Sequence, residues 1–269
     1  MSYKVFLFDF LTPIGWSQAT WRIEGPSVPT SDCPEKSIHD VLIQHLPKDG
    51  RIVEAGCGSG KWPIYLRRLG YNVLGLDISL DACALGHAAD PGLGIAAADV
   101  RRLPLRSDSL DAVVSLGVVE HDEAGPMPAL QETRRVLKKP DGLLVLSVPY
   151  DNLLRRIVFN PWLTWKNWRR RRSGLHLVFE EYRFTLREVQ RFLERTGFEV
   201  GAWYPNDFRP PRTEGIWVDY QNLYFNPWAP TSAEQLYLLP GWKRRFATLL
   251  HRISPWIACG EVTVVARAR

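Results

Sequence analysis

The chain has 269 residues but no apolar run approaching the roughly 20 that a membrane-spanning helix needs. The apolar stretch Val5 to Leu11 is short, contains Asp9 and lacks a clear cleavage site after it. A secreted protein is therefore not expected. Cysteine is scarce as well. The four present, Cys33, Cys57, Cys83 and Cys259, have no metal-type spacing. That excludes a zinc-ligand motif and fits free thiols in a reducing cytoplasm. Internal repeats and low-complexity segments are absent, and the length suits one domain with insertions or one domain plus a small cap. Acidic residues are missing from 152–179, a stretch rich in arginine and tryptophan.

What is present starts from an ordinary apolar content of 45% and a mild basic excess of +5, which hints at anionic partners. The 11 tryptophans are many for this length. The organising stretch runs from Arg51 to Lys61. Ile52 and Val53 supply a short buried strand, and Glu54-Ala55-Gly56-Cys57-Gly58-Ser59-Gly60 follows as a glycine-rich turn into a helix. Glycine there lets the backbone bend and a ligand lie close. A phosphate loop would need glycine where Ala55 stands and Ser or Thr where Trp62 stands. A dinucleotide fingerprint starting at Gly56 would need its third glycine where Lys61 stands.

Along the chain, strands and helices alternate. Pro63 to Leu69 is a predicted helix, and Tyr71 to Asp77 a second strand. Asp77 stands at its carboxyl end, about 20 residues past the glycines, where a carboxylate can accept both ribose hydroxyls of a nucleoside. Leu93 to Ala98 is a third strand, followed by Asp99. Leu110 to Leu116 is a fourth, Leu143 to Val148 a fifth, Phe198 to Trp203 a sixth and Glu261 to Ala266 a seventh. Thr185 with Glu188 reads as a capping box. The alternation predicts an α/β fold, a doubly wound parallel sheet with helices on both faces.

Glu54, Gly56, Gly58 and Gly60 resemble motif I of the class I S-adenosylmethionine (AdoMet) methyltransferases. Asp111, Val113, Ser115 and His121 resemble the segment after the fourth strand in relatives of the quinone-biosynthesis methylases. The resemblance implies a Rossmann-like sheet of seven strands, mostly parallel, with the last strand antiparallel. It implies AdoMet as methyl donor, held by Glu54, Gly56, Cys57, Gly58 and Gly60, by Asp77 and Ile78, by Asp99 and Val100 near the adenine, and by Ser115, Leu116 and Gly117. His121 is the first candidate for a general base and equally a histidine bonded within its loop. Tyr150 and His176 follow, because they flank the expected mouth of the sheet.

The expected division is an arm or lid over 1–35, an AdoMet-binding core over 36–149 and a basic, aromatic insertion over 150–182. The core continues over 183–204, a second aromatic insertion spans 205–258, and the last strand lies in 259–269. The first insertion reads as a solvated basic helix, a surface for anionic lipid, or a single-strand nucleic-acid contact. The second reads as a lid, a dimer contact or a membrane contact, with Ser232 to Ile253 broadly helical. One composition in two insertions suggests that they meet as one cap. The function expected is methyl transfer to oxygen or carbon of a small-molecule or lipid-like acceptor, in the cytoplasm or on the cytoplasmic membrane face. Methylation of nucleic acid, nicotinamide-dependent oxidoreduction and a non-catalytic scaffold stand as alternatives, and a homodimer is left open.

Overall fold

The structure is a computed structural model and describes residues 2–8, 28–206, 208–209, 212–213, 241–257 and 259–269. In chain order the elements are Tyr3–Phe8 (β1), Ser37–His45 (α1), Arg51–Ala55 (β2), Lys61–Arg68 (α2), Asn72–Asp77 (β3), Leu80–Ala89 (α3), Ile95–Ala97 (β4), Ala112–Leu116 (β5), Met127–Val136 (α4) and Leu143–Pro149 (β6). After them come Asn160–Arg172 (α5), Leu177–Arg183 (β7), Leu186–Arg195 (α6), Phe198–Asn206 (β8), Phe208–Arg209 (β9), Arg212–Thr213 (β10), Gly241–Ile253 (α7) and Glu261–Ala268 (β11).

The main sheet has seven strands in the order β4-β3-β2-β5-β6-β11-β8. β11 runs antiparallel to both of its neighbours, and the pairs from β4 to β6 are parallel. This is the doubly wound sheet that the alternation predicts, with the antiparallel last strand that the resemblance implies. Within it, β6 is buried at every position, because helices cover both faces. Side chains alternate across it. Leu144, Leu146 and Val148 join Leu130, Leu193 and Phe198 on one face, while Leu143 and Val145 join Leu42, Trp62 and Leu66 on the other. Each fully buried leucine of this set contributes roughly 2 kcal/mol. The strand order reverses between β2 and β5, and that is where an open α/β sheet leaves a crevice for a ligand.

Local signals place the helix starts. Ser79 accepts from the Ala82 N–H at 3.2 Å and caps α3. Thr185 and Glu188 complete the capping box of α6. Pro63 falls in the first turn of α2, where its missing N–H costs no helical bond. Several boundaries move. The third predicted strand shortens to Ile95–Ala97, and the sixth extends to Asn206 because β11 keeps pairing to the Glu261–Asn206 rung. Of the helix expected over Ser232 to Ile253, Gly241–Ile253 is helical, and residues 232–240 lie outside the described residues.

Outside the main sheet, β1 pairs antiparallel with β7, from Tyr3 opposite Arg183 to Phe8 opposite Leu177. This two-stranded ribbon takes its second strand from the first insertion. α5 lies against it: the Tyr3 hydroxyl donates to the Asn160 carbonyl at 3.0 Å, and Asn167 Nδ2 donates to the Phe6 carbonyl at 3.0 Å. Part of the second insertion lies outside the described residues, but its end reaches the first. Trp256 packs edge-on against Tyr150 with ring centres 5.9 Å apart. Asn152 donates to the Cys259 carbonyl at 2.8 Å, and Arg155 donates to the Gly260 carbonyl. Among the described residues no helix is long and apolar enough to cross a membrane.

Candidate active site

The glycine turn after β2 is folded as its composition demands. Gly56, Gly58 and Gly60 have φ of 83°, 56° and 80°, in the left-handed region that other residues enter with strain. β3 holds the turn by its end. The N–H groups of Gly56 and Cys57 both donate to the Leu76 carbonyl, at 2.7 and 3.0 Å. A Cβ on Gly56 would fall 2.3 Å from Val118, so the turn also touches the segment after β5. Cys57 is buried, and burial pushes its thiol far up. Its Sγ packs against Gly75 of β3.

Asp77 closes β3. Its Oδ2 accepts from the Gly58 N–H at 2.7 Å and its Oδ1 from the Ser79 N–H at 2.8 Å. These two bonds fix the carboxylate against the turn and leave further lone pairs for hydroxyls. Ile78 beside it is 65% exposed. Glu54, on the strand below, is 4% exposed, and its Oε2 has no partner among the described residues. Burial, and then the charge of Asp77, hold its carboxyl well above the usual range.

Asp99 meets a partner that its sequence did not announce. Arg101 Nε and Nη2 grip the two carboxylate oxygens at 3.0 and 2.7 Å, and the Arg101 N–H adds a bond of 2.9 Å. That clamp holds the Asp99 carboxyl below its ordinary range. Arg101 reaches Asp122 as well, at 3.4 Å. Val100 is half-buried against the main core.

After β5 the chain turns at Gly117, with φ of 66°, and its N–H donates to the Ser147 carbonyl at 3.2 Å. Ser115 is buried and Leu116 half-buried beneath this turn. His121 is exposed, and its Nδ1 lies 2.7 Å from the Glu180 carbonyl of β7. A carbonyl oxygen only accepts, so Nδ1 carries the proton. In the neutral ring Nε2 then carries the lone pair. The ribbon thus sets the tautomer that a base would use. Glu120, which the sequence reading passed over, is 2% exposed with Oε2 unpartnered among the described residues. Burial raises its carboxyl well above the ordinary range, and Glu181 and Glu261 add to this. The signal was a carboxyl placed directly after Val118 and Val119, in the turn that follows a buried strand.

Tyr150 and His176 fall differently. Tyr150 stands at the end of β6, half-buried against Trp256, and burial raises its hydroxyl. His176 is exposed in the turn before β7. Four strand positions separate it from Glu180, about 13 Å at strand rise, so the ribbon sets it apart from His121.

The residues fit AdoMet. A buried carboxyl oxygen without a partner suits a cationic amino-acid moiety, and a fixed aspartate at the end of β3 suits a ribose. Residues 53–146 match the Methyltransferase domain family. A probable S-adenosylmethionine-dependent methyltransferase of Mycolicibacterium smegmatis is 32% identical over 167 residues, which cover 60% of this chain and 58% of that protein. A tRNA (carboxymethyluridine(34)-5-O)-methyltransferase of Arabidopsis thaliana is 33% identical over 113 residues, covering 40% of this chain and 26% of that protein. In fold, the S-adenosylmethionine dependent methyltransferase of Mesorhizobium loti superposes with a TM-score of 0.54 at 20% identity, covering 87% of this chain and 99% of that one. Residues 53–146 thus match a methyltransferase domain, and the sheet order and glycine turn are those of the class I S-adenosylmethionine-dependent methyltransferases that the chain resembles. The chain spans about half the length, or less, of the curated relatives it matches.

Proposed function

We propose that the chain transfers a methyl group from AdoMet to oxygen or carbon of a small-molecule or lipid-like acceptor. The observation that carries the donor half is Glu54, a buried carboxyl with a bare oxygen beside a glycine turn pinned by Asp77. Bound there, AdoMet supplies an electrophilic methyl on a sulfonium. Glu54 would face its ammonium, Asp77 its ribose and Val100 the adenine. Asp99 would serve the adenine amine through whatever lone pairs Arg101 leaves.

The acceptor half rests on a groove of about 1020 Å³ that opens beside Asp151, just past β6, and runs between β1 and α5. Tyr3, Pro161, Trp165 and Trp168 give it apolar walls, and Arg156 gives it a cation. That lining supports an amphiphilic acceptor. His121, with Nε2 unprotonated, takes a proton from an acidic acceptor hydroxyl or carbon acid; the rest of the work is alignment. A nucleic-acid acceptor is the second reading, favoured by the likeness to the Arabidopsis tRNA methyltransferase.

Incubation with methyl-labelled AdoMet and a cell extract tests both halves. Label is expected in the lipid or small-molecule fraction, and label in RNA would replace the acceptor assignment. With an acceptor in hand, His121→Gln should lower kcat by about 10²–10⁴-fold with a smaller change in KM. An unchanged kcat would remove the base.

A further inference from the structure

We propose that α5 and α7 form a docking surface for an anionic lipid bilayer. This goes beyond methyl transfer, although the stripe shares Arg156, Pro161, Trp165 and Trp168 with the groove assigned to the acceptor. The starting observation is that α5 buries one leucine, Leu163, and leaves two of its three tryptophans exposed. It turns Asn160 and Asn167, 6% and 8% exposed, towards the ribbon. It turns Trp165 and Trp168, each about half exposed, towards solvent. The outward row continues through the helical turn before it, where Ile157 is 65% and Leu153 59% exposed. Leu153, Ile157, Pro161, Trp165 and Trp168 follow one another at spacings of four and three, so they make one stripe.

Charge decides what covers the stripe. Arg156, Arg169 and Arg172 are exposed around it, Arg171 reaches back over Phe6, and from 151 to 172 the only acid is Asp151. A second copy of the chain would set these arginines against one another. Single-stranded nucleic acid would use the indole faces for stacking, but one face of each already carries an arginine. The Arg169 guanidinium lies 5.1 Å from the Trp165 ring centre, and that of Arg172 lies 4.2 Å from that of Trp168. Exposed leucine and isoleucine also offer a nucleic acid nothing. Lipid satisfies all of it: indoles and aliphatic side chains enter the acyl boundary while guanidiniums stay with phosphate.

α7 repeats the pattern independently. Trp242, Phe246, Leu249 and Ile253 are all exposed, at helical spacings of four and three, and the helix has no acidic residue. The Trp256–Tyr150 contact ties the end of α7 to the start of the first insertion, so both stripes are rooted at one place. That place is also where the acceptor groove opens.

The test is flotation of the full chain with vesicles of phosphatidylcholine alone or mixed with phosphatidylglycerol. Binding is expected to the mixed vesicles and to weaken with salt. Trp165→Ala with Trp168→Ala, both solvent-facing, should weaken it about tenfold with an unchanged melting temperature. Arg169→Glu with Arg172→Glu should weaken it further at low salt. Failure to float with anionic vesicles overturns the proposal. So does wild-type binding by the tryptophan pair, tighter binding to a single-stranded RNA probe, or a dimer that the tryptophan pair dissolves. Vesicle binding is read without methyl transfer, so its failure is distinct from failure of the enzymatic reading.

Discussion

Glu54 near the end of β2 and Glu120 in the turn after β5 are carboxyls kept from water, and they make opposite use of it. Glu120 has no ligand to meet in the free protein, and burial raises its carboxyl. The folded state therefore keeps a proton that the unfolded chain releases. Stability is full below the ordinary carboxylate range and falls as pH climbs from there towards the folded value. Glu120→Gln keeps the shape and never ionises. It should melt above wild type at neutral pH, and the gap should close near pH ~4. A gap independent of pH, followed by calorimetry across that range, would show that Glu120 folds as an ion. Glu54 is raised in the same way, but a cation at its bare oxygen reverses the shift. Binding AdoMet should therefore release about one proton, and Glu54→Gln should release none. Titration calorimetry in buffers of different ionisation enthalpy counts it.

At the scale of elements, the β1–β7 ribbon holds the site in a way the sheet does not. Its Glu180 carbonyl fixes the His121 tautomer, and its Val5 is buried against the rest. Val5→Asp places an unpaired charge there, which is the kind of change that opens a local unit without unfolding the whole. Amide exchange over 177–183 should then rise by at least about tenfold while β5 and β6 keep their protection. Equal loss across the main sheet would mean that ribbon and core unfold together. The ribbon is also where the sequence was hardest to read. The core strands announced themselves by continuous apolar runs, and Ser79, Thr185 and Glu188 announced the helix starts, because those signals are local. The pairing of Tyr3–Phe8 with Leu177–Arg183 joins segments far apart in the chain, and no local pattern encodes the partner. The clamp of Arg101 on Asp99 was hidden for the opposite reason: charges two apart in a loop follow no period. The inward asparagines of α5 were illegible because a basic helix is expected to point its tryptophans inward.

For the whole molecule, the sharpest question is whether the crevice at the strand-order reversal was built for a sulfonium nucleoside. A ligand that binds only the folded state stabilises it by about 2.7 kcal/mol at a hundred times its dissociation constant. For a chain of this size that corresponds to a rise in melting temperature of roughly 5–10 °C. AdoMet should produce this rise, and NADH at the same concentration should not, because Lys61 stands where the dinucleotide turn needs its third glycine. Asp77→Ala removes both the ribose acceptor and the bond that pins Gly58, so it should flatten the AdoMet response. The variant may not be judged by a lower starting melting temperature, since the lost Gly58 and Ser79 bonds cost about 1 kcal/mol each on their own. The quantity that decides is the increment on adding AdoMet. An increment that survives in Asp77→Ala would move the nucleoside away from β3, and an increment with NADH would return the glycine turn to the dinucleotide reading.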